Sequence, residues 1–316
     1  MTLAGYVGQR LLLTAPVVLS VLTAIFLVVR VLPGDPAQVA LGENASQAAV
    51  EGLRSKLGLN EPLATQYLRF LGGLVHGDLG VSMINGSPVR EQIAYNLPFT
   101  LELSVVALVV GTSSGLLLGG VSALHRNRAP DYLVRVLSLA GVCTPAFYLG
   151  ALVSLLAGVQ LRWLPAIGGG NPSSPADVLA HLLLPGLTLG AIMMASVARV
   201  ARSAMLEVLS QEHVRTARAK GLRERAVVLA HLLRPALLPV VSLTGVWGVA
   251  LIGDSVTTEL VFARPGLGKM LVGAMLQRDY TSLQSVMVAY TLFVVAINLV
   301  TDLAYGVVDP RVRLRA

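Results

Sequence analysis

Apolar positions in this chain collect into six long runs, at 11–32, 99–124, 133–158, 179–200, 236–258 and 284–308, separated by polar segments of very unequal length. Each run exceeds the roughly 20 residues that carry a helix, at about 1.5 Å per residue, across a hydrocarbon core about 30 Å thick. The pattern predicts an all-α integral membrane protein with six transmembrane helices. The first run follows Arg10 as a signal-peptide core would. It is about twice the usual length of such a core and no small-x-small cleavage site follows cleanly, so it reads as a retained helix. Pro145, Pro185 and Pro239 fall inside the third, fourth and fifth runs. A proline removes one amide donor from the helical ladder, so each favours a bend.

The polar segments have structure of their own. In 33–98, Asn44 with Gln47 fits a capping box for a helix carrying Val50, Leu53 and Leu57 and ended by Gly58. Asn60 and Pro62 start a second helix with Leu63, Tyr67 and Leu71 on one face. The expectation is a small helical cap on the outer face of the membrane. The segment 201–235 reads as helix from Ser203 to Lys220, a break at Gly221, and a second helix from Arg223 through Leu233. Two helices joined at a glycine make a protruding elbow.

Composition sharpens this picture. Only 13% of the 316 residues are charged and the mean hydropathy is +0.72, whereas soluble domains carry about a quarter of charged residues. A water-soluble globule is excluded. The single cysteine, Cys143, lies within the third run, which leaves no disulfide framework and no cysteine-based metal centre. A pI near 9.9 and a net charge of +7 would suggest nucleic acid if the cations formed a patch on a soluble domain. They follow the topology instead. Thirteen Lys and Arg fall on the side of Arg10, Arg126, Arg128, the 201–235 loop and the tail, with five acids; eight fall on the other side, with nine acids. Excess Lys and Arg stay in the cytoplasm during insertion, so both termini are expected inside and no nucleic-acid partner is expected.

Motifs with catalytic overtones have plainer readings. Gly111-Thr112-Ser113-Ser114-Gly115 fits the G-x-S-x-G nucleophile pattern, but it lies inside the second run, and with Gly119 it makes two successive G-x-x-x-G spacings suited to close helix packing. An intramembrane serine hydrolase at Ser113 would need a histidine at the same depth, and His125 and His181 lie near opposite ends. Gly268-Lys269 is followed by Met270 and preceded by Ala263 where a P-loop needs glycine, so no nucleotide site is expected. The five histidines have no metal-ligand spacing. Glu102, Arg135, Arg199, Asp254 and Asp302 lie near predicted span ends, where snorkelling or interfacial exposure accounts for them. A proton-coupled carrier using Glu102, Asp254 or Asp302 is the competing reading; it calls for mid-membrane carboxylates and internal repeats, and neither is evident. Thr112, Ser113 and Asn298 are the polar residues placed to line a path.

In the elbow, Arg215, Arg218, Lys220, Arg223 and Arg225 supply donors for carboxylates, while Ala217, Ala219 and Gly221 permit close approach of another protein. Arginines that merely hold the loop inside, with helices lying on anionic lipid, are the bland alternative. The stretch Glu212-His213-Val214-Arg215-Thr216-Ala217-Arg218-Ala219-Lys220-Gly221-Leu222, with His231 to Pro239 after it, resembles the coupling-loop signature of ABC importer permeases for dipeptides and oligopeptides. Further matches are Leu32-Pro33-Gly34-Asp35-Pro36, Leu57 to Leu63, Gly77-Asp78-Leu79-Gly80, Val261 to Gly268, Arg278-Asp279-Tyr280 and Asp309-Pro310-Arg311. Together they are similar to the first of the two permease subunits, the type with the long first external loop. Relative to the general importer signature, Arg215-Thr216-Ala217 replaces Glu-Ala-Ala and Leu233-Arg234 replaces a later Leu-Pro, while Gly221 is retained.

The resemblance implies the type I ABC importer transmembrane fold and a subunit of the bacterial inner membrane without bond chemistry of its own. It further implies a second related permease, two cytoplasmic ATPase subunits that bind ATP and Mg, and an extracytoplasmic substrate-binding protein; this chain would hold no cofactor or metal. Val214, Arg215, Thr216, Ala217, Arg218, Ala219, Lys220, Gly221 and Leu222 would form the ATPase-coupling elbow. The expected organisation is an N-terminal helix at 1–32, an external segment at 33–94, a transmembrane core at 95–308 containing the 201–235 loop, and a cytoplasmic tail at 309–316. Substrates in the family include dipeptides, oligopeptides, glutathione and nickel chelates.

Overall fold

The computed structural model describes residues 3–31, 35–42, 45–56 and 58–308. The expected cap residue Asn44, Leu57, the motif residues 32–34 and the tail 309–316 lie outside them, as do the side chains of Arg10 and Asp302. The described residues form thirteen α-helices: α1 Leu3–Val31, α2 Pro36–Leu41, α3 Gln47–Lys56, α4 Leu63–Val75, α5 Val89–Leu124, α6 Ala129–Cys143, α7 Ala146–Val153, α8 Pro175–Leu209, α9 Glu212–Ala219, α10 Glu224–Ala226, α11 Arg234–Val261, α12 Leu267–Leu276 and α13 Tyr280–Val308. Two π-helical segments, Ser154–Gln160 and Val227–Leu233, extend α7 and join α10 to α11.

Five stretches are long and apolar enough to cross a bilayer: Leu12–Arg30, Val89–Leu124, Pro175–Leu209, Glu224–Val261 and Tyr280–Thr301. The third predicted span is broken, its halves Ala129–Cys143 and Ala146–Gln160 meeting at 107°. Thr144 is extended (φ −94°, ψ 122°) ahead of Pro145, because the proline ring disfavours helical backbone in the residue before it. By contrast α8 and α11 run on through Pro185 and Pro239. Helices α5, α8 and the 224–261 stretch outrun their apolar runs, since a helix satisfies its own backbone wherever it leaves the lipid.

The chain divides into two compact units. The first comprises 1–7, 99–264 and 296–316. Its core is Leu103 and Ala107 of α5, Leu189, Met193 and Val197 of α8, and Val240 and Leu251 of α11. Buried Gly111, Gly115 and Gly119 bring α5 against α8. A Cβ added to Gly115 would meet Val197 Cβ at 2.6 Å, and one added to Gly119 would meet the Ala198 carbonyl at 2.6 Å. The stripe is thus a packing surface. The Ser113 hydroxyl donates to the Val109 carbonyl of its own helix, 2.6 Å away. On the other side of α8, Gly141 of α6 lies against Ala195.

The second unit comprises 8–98 and 265–295. The Ser46 hydroxyl accepts from the Ala49 amide at the start of α3, and Asp35 caps α2 through the Ala37 amide. Phe26 of α1 packs edge-on to Tyr67 and stacks on Phe70 of α4. Two sequence motifs meet here. Asp279, 4% exposed, accepts hydrogen bonds from the hydroxyls of Ser82 (2.5 Å) and Ser282 (2.7 Å) and the amides of Met83 and Ser282. The Leu79 carbonyl accepts from Ser285. The Gly77-Asp78-Leu79-Gly80 turn therefore seats on the Arg278-Asp279-Tyr280 corner, with Gly80 so close that a Cβ would meet Thr281 at 2.6 Å.

Candidate functional site

The elbow lies where α8 ends. The expected helix from Ser203 to Lys220 is in fact two: α8 stops at Leu209, Ser210 caps it through the Glu207 carbonyl, and α9 begins after an extended Gln211. The reason is tertiary. Breaking there lets Val214 (0% exposed) and Ala217 (5%) turn inward to a cluster with Ala123, Met205, Val208, Val227, Leu232 and Ala236. Val214 and Ala217 stand three apart, on one face of α9. The Ala217 methyl thus packs against its own chain and anchors α9 there. Arg215, Thr216, Arg218, Ala219, Lys220, Gly221 and Leu222 are exposed.

Gly221 terminates α9 at φ +75°. Its amide donates to the Arg218 carbonyl (2.9 Å) and the Leu222 amide to the Ala217 carbonyl (3.4 Å), the two-bond helix stop that favours glycine at this position. Arg218 spans the turn to Glu224, Nη2 to Oε1 at 2.5 Å and Nε to Oε2 at 3.3 Å. The hydrogen bond to that carboxylate raises the Arg218 pKa, and burial opposes it. Beyond the clamp, the chain runs directly through α10 and the π-helical segment into α11. The outcome is a short helix fixed at its inner face, rigid at its turn, and presenting Arg215, Lys220 and the 43%-exposed Leu222 outward.

The predicted path residues are less concentrated. Thr112 on α5 faces Thr244 on α11, oxygen to oxygen 3.4 Å; Ser113 and Asn298 are exposed. No hydrogen bond joins Thr112, Ser113 and Asn298 to one another among the described residues. Glu102 is not simply snorkelling: its carboxylate pairs with Arg264 Nη2 at 2.9 Å, and that guanidinium is fully buried beneath the Phe99 ring. Burial pushes the Arg264 pKa down, while Glu102 and Glu259 oppose the shift. Sequence reasoning also missed the ion pair between Asp131 at the start of α6 and Arg202 of α8. Both residues fall just outside the apolar runs, at 131 and 202, so the pattern of the chain carried no signal for their pairing. No group of three or more His, Cys, Asp or Glu is placed to hold a metal among the described residues.

A transmembrane bundle in which an eight-residue helix is held out between two long spans defines a class, the transmembrane subunits of type I ABC importers. Comparison with known proteins bears this out. Residues 115–314 match the family described as "Binding-protein-dependent transport system inner membrane component", and residues 5–104 match the N-terminal part of such membrane components. The chain belongs to this family. It is similar to the glutathione transport system permease protein GsiC of Pectobacterium atrosepticum, 41% identical over 98% of this chain and 99% of that protein. Its counterpart in Escherichia coli K12 is 40% identical over the same shares. Among solved structures, a chain of the MetNI methionine ABC transporter in an inward-facing conformation aligns with a TM-score of 0.57 at 22% identity, covering 69% of this chain and 96% of that one. The protein is therefore a multi-pass inner-membrane permease component of an ABC importer, and the family is not itself catalytic. Membership does not favour the proton-coupled carrier.

Proposed function

We propose that this chain forms half of the translocation path of an ATP-driven importer for di- or oligopeptides, with peptides of glutathione size its leading substrates. The α9 elbow receives the movement of a cytoplasmic ATPase. A second related permease supplies the other half of the path, two ATPase subunits bind ATP and Mg, and an extracytoplasmic binding protein delivers the substrate. Both termini and the elbow lie in the cytoplasm; 1–32 is an N-terminal span, 33–94 an external helical segment, 95–308 the transmembrane core and 309–316 a cytoplasmic tail. Glutathione enters this reading because the similar GsiC proteins are glutathione permeases.

The observation that carries the coupling role is the division of α9 into an inward face, Val214 and Ala217, and an outward face ending in Leu222. A helix tied to α8 and to the stretch leading into α11 moves as one piece with both spans, so a push on its outer face rocks them together. The exposed Cys143 is first replaced by alanine. Single cysteines are then placed at 215, 219, 222 and, as inward controls, 214 and 217. Thiol crosslinkers are expected to capture the ATPase from 215, 219 and 222 and not from 214 or 217. Failure of all three outward positions to capture it in the assembled complex would remove the coupling assignment.

A further inference from the structure

We infer that the cavity between α6 and α8 is a carboxylate-binding station on the substrate path, selecting peptides that carry net negative charge. This rests on the reading of the chain as half of a peptide path. The cavity measures about 480 Å³ and is bordered by Tyr132, Arg135 and Leu139 of α6 and by Ala198, Arg199 and Arg202 of α8. That volume suits a tripeptide, since small-molecule sites run from about 300 to 1,000 Å³.

Three arginines meet a wall that is otherwise largely apolar, and they are not equivalent. Arg202 is committed to Asp131 through two hydrogen bonds, 2.7 and 2.9 Å. Arg135 leans over the Tyr132 ring at 5.7 Å, and neither Arg135 nor Arg199 has a carboxylate partner among the described residues. Both lie near the ends of their spans, where a guanidinium stays hydrated, so the cavity they border is open to water and to a charged ligand. Two uncompensated guanidiniums beside one already neutralised leave the cavity positive, and a peptide carboxylate is the complementary group that an importer of peptides brings past it. Val136 and Leu139 beside them offer contact for the apolar part of the same ligand. The faces of α6 that carry Tyr132, Arg135, Val136 and Leu139 are exposed in this chain, as the wall of a shared path requires.

The test uses the complete importer reconstituted in vesicles of fixed lipid composition, with Arg135→Gln and Arg199→Gln variants. Uptake of an acidic tripeptide and of a neutral tripeptide of the same length is measured at limiting concentration. Each variant is compared with wild type for each peptide, so that selection by the binding protein cancels. Each variant is expected to slow uptake of the acidic peptide by about tenfold, the loss of one charge-assisted hydrogen bond, and to leave the neutral peptide and ATP turnover unchanged. Equal losses for both peptides would overturn the station, as would variants that respond only to the anionic-lipid content of the vesicles, the mark of a phospholipid in the cavity. Wild-type complex that takes up neither peptide would instead overturn the peptide-path reading itself.

Discussion

Arg202 of α8 grips Asp131 of α6 with two prongs, Nε to Oδ1 at 2.7 Å and Nη2 to Oδ2 at 2.9 Å, and the carboxylate is entirely buried. The same carboxylate accepts from the Ser122 hydroxyl of α5 at 2.6 Å and from the Asn127 amide at 2.9 Å. One charged group thus ties together the end of α5, the start of α6 and the last turns of α8. Removing one partner of a buried pair leaves an uncompensated charge and costs about 3–5 kcal/mol, whereas removing both costs less. Arg202→Gln and Asp131→Asn should each lower the thermal unfolding midpoint of the purified protein. The double variant should lose clearly less than the sum of the two, and strictly additive losses would show that the pair carries no coupling.

Much of this architecture was legible in the sequence, and the omissions share a cause. All six apolar runs correspond to helices, and Pro145 marked the 107° bend because its effect on Thr144 is local. Gly221 marked the end of α9 for the same reason. The Asp35-Pro36 start of α2 carried a usable cap-and-proline signal that went unread. The break at Ser210 and Gln211 had no comparable signature, because it is set by where Val214 and Ala217 find a buried surface. The pairs Asp131 with Arg202 and Glu102 with Arg264 join residues 71 and 162 positions apart. A periodicity argument sees that such residues are ionisable and near span ends, but not that each has a partner. Likewise the π-helical turns at 154–160 and 227–233 follow from packing rather than from residue type.

Gly221 separates two explanations of the elbow's glycine. Its φ of +75° lies in the left-handed region, and no atom beyond its immediate chain neighbours lies within 4 Å of where a Cβ would stand. Within this chain the requirement is therefore conformational rather than steric. Alanine there costs about 1 kcal/mol or slightly more, while asparagine, which enters the left-handed region more readily, costs less. Gly221→Ala and Gly221→Asn should both insert and assemble, with Asn the closer to wild-type stability. Gly221→Trp should depress uptake far more than either, because the open space above Gly221 is where an ATPase surface would approach. Uptake that tracks only the stability of the three variants would show that the space is not occupied in the working complex.

Gly119 and Gly120 are neighbours on α5 with opposite surroundings, which makes them a matched pair for testing what holds α5 to α8. A Cβ on Gly119 would stand 2.6 Å from the Ala198 carbonyl oxygen, 2.7 Å from Ala201 Cβ and 3.0 Å from the Arg202 amide nitrogen. Two of these three are backbone atoms inside a long helix, so they cannot swing aside as the end of a side chain would. On Gly120 the nearest atoms are Met205 Sδ and Cε at 3.5 and 3.6 Å, ordinary contact with a flexible thioether. Overpacking a tight interface typically costs about 1–3 kcal/mol, and alanine in place of a mid-helix glycine otherwise returns roughly 0.5–1 kcal/mol. Gly120→Ala should therefore be neutral or mildly stabilising in detergent melts. Gly119→Ala should be destabilising, and because Ala198 and Arg202 border the α6–α8 cavity, the shift of α8 should also reduce uptake. Equal melting points for the two variants would mean that α5 and α8 are not held at the separation the glycine stripe permits.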